Sequence, residues 1–420
     1  MKTVESYFDK EAIIKQAKRV RRKKSHGIDG ISAKEAVCIA EIQHSSIKEG
    51  VLTVSYKPSP ILKITIPKGN GKERIIGSAN AIDRIVQGCI HNYLYDVLDE
   101  SMSDSSYGFR NNRNCQMAVL DVVDIIKAGY EWVINIDLKD CFTNLNKDVI
   151  LWLLRNTVVD ERIIKSVNKI ISNNYVNGNL LEPVQGCPQG SNISPDLCNL
   201  VLNQLDVRLE ERNHPFVRYA DDIYVFCKSE KAAIRIMNSI VKILEAELKL
   251  IVNRDKSLIF HSKDKVWSCL GFLIKHDVDI HIHMNPKKDE NLRNGIKTIL
   301  SEEAPDKWVQ DINSLTCGWI CCNSIAEMSS VTKCMDAYIK RTIGKQERKL
   351  GIEVDTSKLK NCHGYYKSLV QQNKAKEKEP DSVGNTATEK CNNQPLQAYE
   401  NGANVSLSVR APPASDSSLK

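Results

Sequence analysis

The stretch from Phe216 to Phe226, FVRYADDIYVF, sets two adjacent carboxylates, Asp221 and Asp222, within an apolar and aromatic run. The apolar flanks predict a strand, a tight turn and a second strand. Two like charges side by side in a domain interior repel each other, and burial penalises both. A chain that folds with this segment inside must supply something to neutralise the pair. Taken alone, the dipeptide reads as a hairpin turn with both acids in water, so the constraint depends on what else the chain offers.

It offers a second acid-tipped strand. In VINIDLKDCF, Asp137 follows Val133, Ile134 and Ile136. Carboxylates at the ends of two hydrophobic strands converge when the strands are neighbours in one sheet. Such convergence is tolerable when hard cations neutralise the charge. Mg2+ takes a few carboxylates and completes its shell with substrate phosphates. Two such ions about 4 Å apart stabilise the attacking and leaving oxygens of a phosphoryl transfer. Asp137, Asp221 and Asp222 are therefore expected to be held together by metal and a nucleoside triphosphate.

The net charge of +7 is modest, but its distribution is informative. Basic residues crowd Lys18 to Lys24 (KRVRRKK), the set Lys63, Lys68, Lys72 and Arg74, and the stretch Ile339 to Lys349. Each alone reads as a solvated face; three such clusters flanking one acidic site point to a polyanion partner, nucleic acid above all. The 14 cysteines include no CxxC pair. Cys89, Cys198, Cys227 and Cys269 stand in apolar surroundings, so buried free thiols are expected rather than zinc or disulfides. His281 and His283 alternate as on a solvated strand face. No apolar run approaches the ~20 residues of a bilayer span, and the first residues lack the apolar core of a signal peptide. The expected location is the cytoplasm, with no membrane partner.

Along the chain, residues 1–25 read as a basic helix, and ILKITIPKGNGKERIIG as a hairpin turning at KGNGK. Residues 128–138 read as a buried strand, 148–175 as helix, and PDLCNLVLNQLDVRLEER as a helix by its apolar spacing. Short strands are expected over 258–284 and helices over 287–350. Beyond about residue 370, polar and Lys-rich composition predicts a disordered tail, because too little apolar surface is available to offset chain entropy.

RYADD resembles the catalytic signature of reverse transcriptases, and VINIDLKDCF the strand that carries their first catalytic acid. HGIDGIS (His26 to Ser32), IPKGNGKERIIG, SYGFR (Ser106 to Arg110) and GCPQGSNISPDLCNLVLNQLD match further segments in the family's order, over roughly residues 20–285. The resemblance is to group II intron reverse transcriptases and their bacterial relatives. It implies an α+β, right-hand polymerase: a basic N-terminal helix (1–25), fingers (26–130), a palm with an acidic antiparallel sheet (131–285), a helical thumb or maturase-like domain (286–366) and a disordered tail (367–420).

Residue by residue, the resemblance implies that Asp137, Asp221 and Asp222 are catalytic and hold two Mg2+ ions, with Mn2+ as an alternative and the Leu138 carbonyl as a further ligand. Lys68 and Arg74 would meet the triphosphate, Arg as a bidentate fork and Lys as a point charge. Phe142 would stand against the sugar 2′ position. Gln189 and Gly190 would border the nascent base pair, and Gly271, in CLGF, the primer end. The implied partners are an RNA template, a DNA or RNA primer, dNTPs and group II intron RNA. Two departures bear on the subfamily: Thr143 stands where relatives often have an acid, and Gly190-Ser191-Asn192 where they often have a Gly pair.

Gly318-Trp319 and YIKRTIGKQ resemble the thumb and maturase region of intron proteins. No DNA-cutting module is expected to follow. The expected function is RNA-directed DNA synthesis, with assistance to intron splicing. The rival expectations are a defence polymerase (CRISPR-associated or retron-like) and a non-catalytic splicing factor, against which the intact acid set counts.

Overall fold

A computed structural model describes residues 2–20, 26–68 and 72–376. These residues divide into two compact units, one ending at Asp264 and one beginning at Lys265. The tail beyond residue 376 and most of the basic run at 18–24 lie outside the described residues. Among the described residues no helix is long and apolar enough to cross a membrane.

The first unit is α+β. Its strands are β1 (Ile61–Lys68), β2 (Lys72–Ser78), β3 (Trp132–Ile136), β4 (Asn174–Asn177), β5 (Leu180–Pro183), β6 (Phe216–Tyr219), β7 (Asp222–Cys227) and β8 (Leu258–His261). One sheet has the order β2-β1-β4-β5 and contains the expected hairpin, β1 against β2. The stretch 148–175 is not one helix. It divides into Lys147–Thr157 and Glu161–Ile171, the second capped by the Asp160 carboxylate, and then enters β4.

The second sheet, β6-β7-β3-β8, is antiparallel throughout. Central strands covered on both sides read as continuous apolar runs, and Ile223 to Cys227 are buried without a break. Ile134, Ile136, Ile223 and Val225 join the main core. Each such side chain contributes roughly 1.5–3 kcal/mol by leaving water.

The helix Ser194–Glu211 belongs to the same core. Its buried positions include two aspartates and two asparagines, Asp196, Asn199, Asn203 and Asp206. Spaced three and four apart, they share one helical face, and each is paired. Asp196 meets His91 at 2.7 Å. Asn203 binds the Ser101 carbonyl and the Ser103 N–H.

The second unit holds β9 (Trp267–Cys269), β10 (Phe272–His276) and β11 (Ile280–Met284), in the order β11-β10-β9. The strands of 267–284, expected in the palm, thus fall in the unit that also contains the helices Pro286–Glu302, Trp308–Asn323, Ser329–Leu350 and Cys362–Lys376. The helices pack around Trp308, Ile312, Ile339 and Ile343. The last begins where the Asp336 carboxylate accepts from the N–H groups of Cys362 and His363, and it runs past residue 366. Cys89, Cys198 and Cys227 are buried free thiols, and Cys269 is buried as well.

Candidate active site

β6 and β7 close on the two-residue turn Ala220-Asp221, since Tyr219 pairs with Asp222. Ala220 has φ +57°, left-handed backbone that residues with a Cβ rarely adopt. Its surroundings hold it there. Gly108 packs so tightly on this turn that a Cβ would fall 2.2 Å from the Ala220 nitrogen. Tyr107 N–H donates to the Arg218 carbonyl at 2.8 Å, and Arg218 N–H to the Ser105 carbonyl at 2.9 Å. SYGFR is therefore the support of the RYADD turn.

The last pair between β3 and β7 is Ile136 with Ile223. Asp137 and Asp222 stand one residue beyond it, at the same end of neighbouring strands, as expected. The segment after β3 is pinned by residues 251–257. Asn253 donates its side-chain amide to the Asp137 carboxylate at 2.7 Å and its main-chain N–H to the Asp137 carbonyl at 2.8 Å. The Ser257 hydroxyl accepts from the Asp137 N–H at 3.1 Å.

These elements border an open cavity of about 980 Å3 that both Asp137 and Asp221 line. Asp222 is not part of its lining, though the two carboxylates affect it. Protein packed around the Asp222 carboxyl, then the charges of Asp221 and Asp137, push its pKa up to about 6, even though the residue keeps contact with solvent. Two carboxylates whose charges raise the proton affinity of a third make a set of hard oxygen donors that suits a hard divalent cation. Among the described residues no group of three or more His, Cys, Asp or Glu side chains is gathered tightly enough to hold a metal ion alone. Mg2+, which draws part of its shell from water and phosphate, does not require such a cage.

The same cavity is lined by Leu138, Phe142, Gln189, Gly190 and Arg74. The half-buried Phe142 ring meets Phe109 edge-on, with centroids 6.3 Å apart. The Phe142 carbonyl accepts from the Cys187 N–H at 2.8 Å, tying the aromatic to the GCPQG turn. Gly190, at φ +105°, sits against β2, where a Cβ would come within 2.5 Å of the Gly77 carbonyl. Gln189 in turn accepts the Gly77 N–H at 2.7 Å. The substituted positions after that turn are structural. Ser191 binds the Gln87 side chain and Asn192 the Arg84 carbonyl. Lys68 closes β1, and its side chain lies outside the described residues. Gly271, with Leu270, makes the two-residue turn between β9 and β10, in the second unit.

Residues missed from sequence lie beneath the turn. Arg218 and Asp206 are fully buried. The Arg218 guanidinium donates to both Asp206 oxygens at 2.6–2.9 Å, to the Asn199 side-chain oxygen at 2.8 Å and to the Ala220 carbonyl at 3.0 Å. Burial raises the Asp206 pKa, with the guanidinium pulling against it. Two signals for this network were present: a charged residue inside an apolar strand, and a polar stripe along a buried helix.

Residues 66–274 match the family model described as reverse transcriptase (RNA-dependent DNA polymerase). The chain is 37% identical over 161 residues to a COX1/OXI3 intron 1 protein of Saccharomyces cerevisiae, covering 38% of this chain and 19% of that one. It is 27% identical over 277 residues to protein YkfC of Escherichia coli, covering 57% of this chain and 73% of that one. It is 29% identical over 163 residues to the group II intron-encoded protein LtrA of Lactococcus lactis, covering 38% and 26% respectively. The chain thus spans only 19% and 26% of the yeast and Lactococcus proteins. On this match and these relatives, the chain belongs to the reverse transcriptase (RNA-dependent DNA polymerase) family, and its type is that of the group II intron proteins.

Proposed function

We propose that the chain is an RNA-directed DNA polymerase that extends a primer 3′-hydroxyl with dNTPs on an RNA template. The observation that carries this reading is the convergence of Asp137, just past β3, and Asp221, in the β6–β7 turn, on one cavity that also presents Arg74, Phe142 and Gln189.

Asp137 and Asp221, with Asp222 beside them, would hold two Mg2+ ions, or Mn2+ in their place, and the Leu138 carbonyl would add a ligand. The bound ions supply charge stabilisation to the attacking and leaving oxygens. The remaining work belongs to the protein. Arg74 offers a planar fork to the triphosphate, and Lys68, at the end of the adjoining strand, a second positive charge. Phe142 excludes a ribose 2′-hydroxyl by its bulk. Gln189 can hydrogen-bond the nascent base pair, and Gly190 lets the main chain approach it closely. Gly271 is assigned to the primer grip.

The second unit is assigned a role in holding RNA. Lys340, Arg341, Lys345, Arg348 and Lys349 are all exposed on the helix Ser329–Leu350, and lysine and arginine on one helix bind phosphates without reading sequence. Intron RNA is the proposed partner, with help to its splicing as the second activity. Primer extension on an RNA template, with each divalent metal in turn, tests the polymerase reading. Mg2+-dependent DNA product is expected, and its absence with every metal would remove the reading.

A further inference from the structure

We propose that Arg218 is a positioning residue: through its buried pair with Asp206 it fixes the Ala220 carbonyl, and so sets where Asp221 presents its carboxylate. The proposal rests on the polymerase reading above.

A guanidinium has five N–H donors in one rigid plane. Here Nε and Nη2 are committed to Asp206, and Nη1 divides between Asn199 and the Ala220 carbonyl. Asn199 in turn donates to the Gly108 carbonyl at 2.9 Å, and Gly108 packs directly on Ala220. The left-handed Ala220 is thus gripped on both sides by one connected network. Such backbone is strained and persists only where its surroundings over-determine it. Released from the grip, Ala220 would relax, and the Asp221 carboxylate would move with it.

A buried ion pair is a poor source of stability, because desolvation of both charges offsets their attraction. Well-packed apolar side chains of similar volume often do as well. What they cannot do is donate to the Ala220 carbonyl. Lysine is no substitute either, since a single ammonium cannot reproduce the planar fork and reach the turn as well. Stability and positioning can therefore be separated by mutation.

The test is the double variant Arg218→Met with Asp206→Leu, which removes both charges together. Mn2+ binding to the full chain is measured directly by electron paramagnetic resonance and assigned by its loss in Asp221→Asn. The double variant is expected to melt cooperatively near the wild-type temperature yet bind Mn2+ about 10–100-fold more weakly, the usual effect of removing a residue that orients a metal ligand. Its Mg2+ requirement in primer extension should rise in parallel. Arg218→Lys, which keeps a charge opposite Asp206, should show the same metal defect and serves if the double variant does not fold. A folded variant of either kind that binds Mn2+ as tightly as wild type overturns the proposal. Wild-type protein that binds Mn2+ but extends no primer overturns the polymerase reading instead.

Discussion

Asn253 clamps Asp137 from two directions, its side-chain amide on the carboxylate at 2.7 Å and its main-chain N–H on the carbonyl at 2.8 Å. The side-chain bond selects one orientation of the carboxylate. Removing it in Asn253→Ala should lower primer extension about 10–100-fold at limiting Mg2+, with recovery as Mg2+ is raised. A Mg2+ titration of extension rate reads this directly. A curve that overlays wild type would show that the amide bond does not orient the ligand.

Phe142 lines the cavity, and its carbonyl accepts from the Cys187 N–H. Phe142→Val should therefore leave the main chain in place and open space beside the sugar. The preference for dNTP over rNTP should fall by about 10-fold or more, the scale of discrimination by bulk in an apolar pocket. Single-nucleotide incorporation of each is the measurement. An unchanged ratio would make Phe142 a packing residue only.

Asp222 gives a pH dependence with a definite sign. Its folded pKa of about 6 lies above the ordinary carboxyl value of 3.8. Between those values the folded state binds more protons than the unfolded state, so this group's contribution to stability falls as pH rises through that window. Above it the ionised carboxylate is the form a cation relieves, so the rise in melting temperature caused by Mg2+ should be larger at about pH 7.5 than at about pH 5. Thermal melts with and without Mg2+ at the two pH values decide it. An equal or larger rise at the lower pH would count against a cation at this carboxylate.

Neutralising Lys340, Arg341 and Lys345 should weaken RNA binding by the second unit and flatten its salt dependence, by about 0.7–0.9 in log–log slope for each phosphate no longer neutralised. Extension of a short primer-template at saturating concentration should survive, because Asp137, Asp221 and Asp222 lie in the first unit. Filter binding across a salt series checks the slope. An unaltered slope with intron-like RNA would remove the splicing role and leave the polymerase role standing.

The parts legible in sequence were those set by local pattern. The apolar flanks of Asp221-Asp222 and the apolar run before Asp137 specified three strands, and their adjacency was the condition under which the acids converge. The hairpin at 61–78 was legible from its turn residues. The break at Val158 to Asp160 was missed because apolar spacing continues across it, and only the Asp160 cap signals a new helix. The Arg218–Asp206 pair was missed for a different reason. Helical periodicity was sought in the apolar residues of 194–211, while the polar residues on the same helix, at 196, 199, 203 and 206, carry the support of the site. Long-range pairs such as Asn253 with Asp137 leave no local trace, since they depend on which loop the sheet brings beside β3.

The central claim is that the strand-end acids carry out nucleotidyl transfer, and Asp137→Asn and Asp221→Asn test it most directly. Each replacement keeps shape and removes one charge from the cavity lining. On an RNA template with a DNA primer, dNTPs and Mg2+, both variants should fold as wild type and lose extension by at least ~100-fold, equivalent to about 2.7 kcal/mol of transition-state stabilisation. Wild-type extension rates in either purified, folded variant would contradict the assignment.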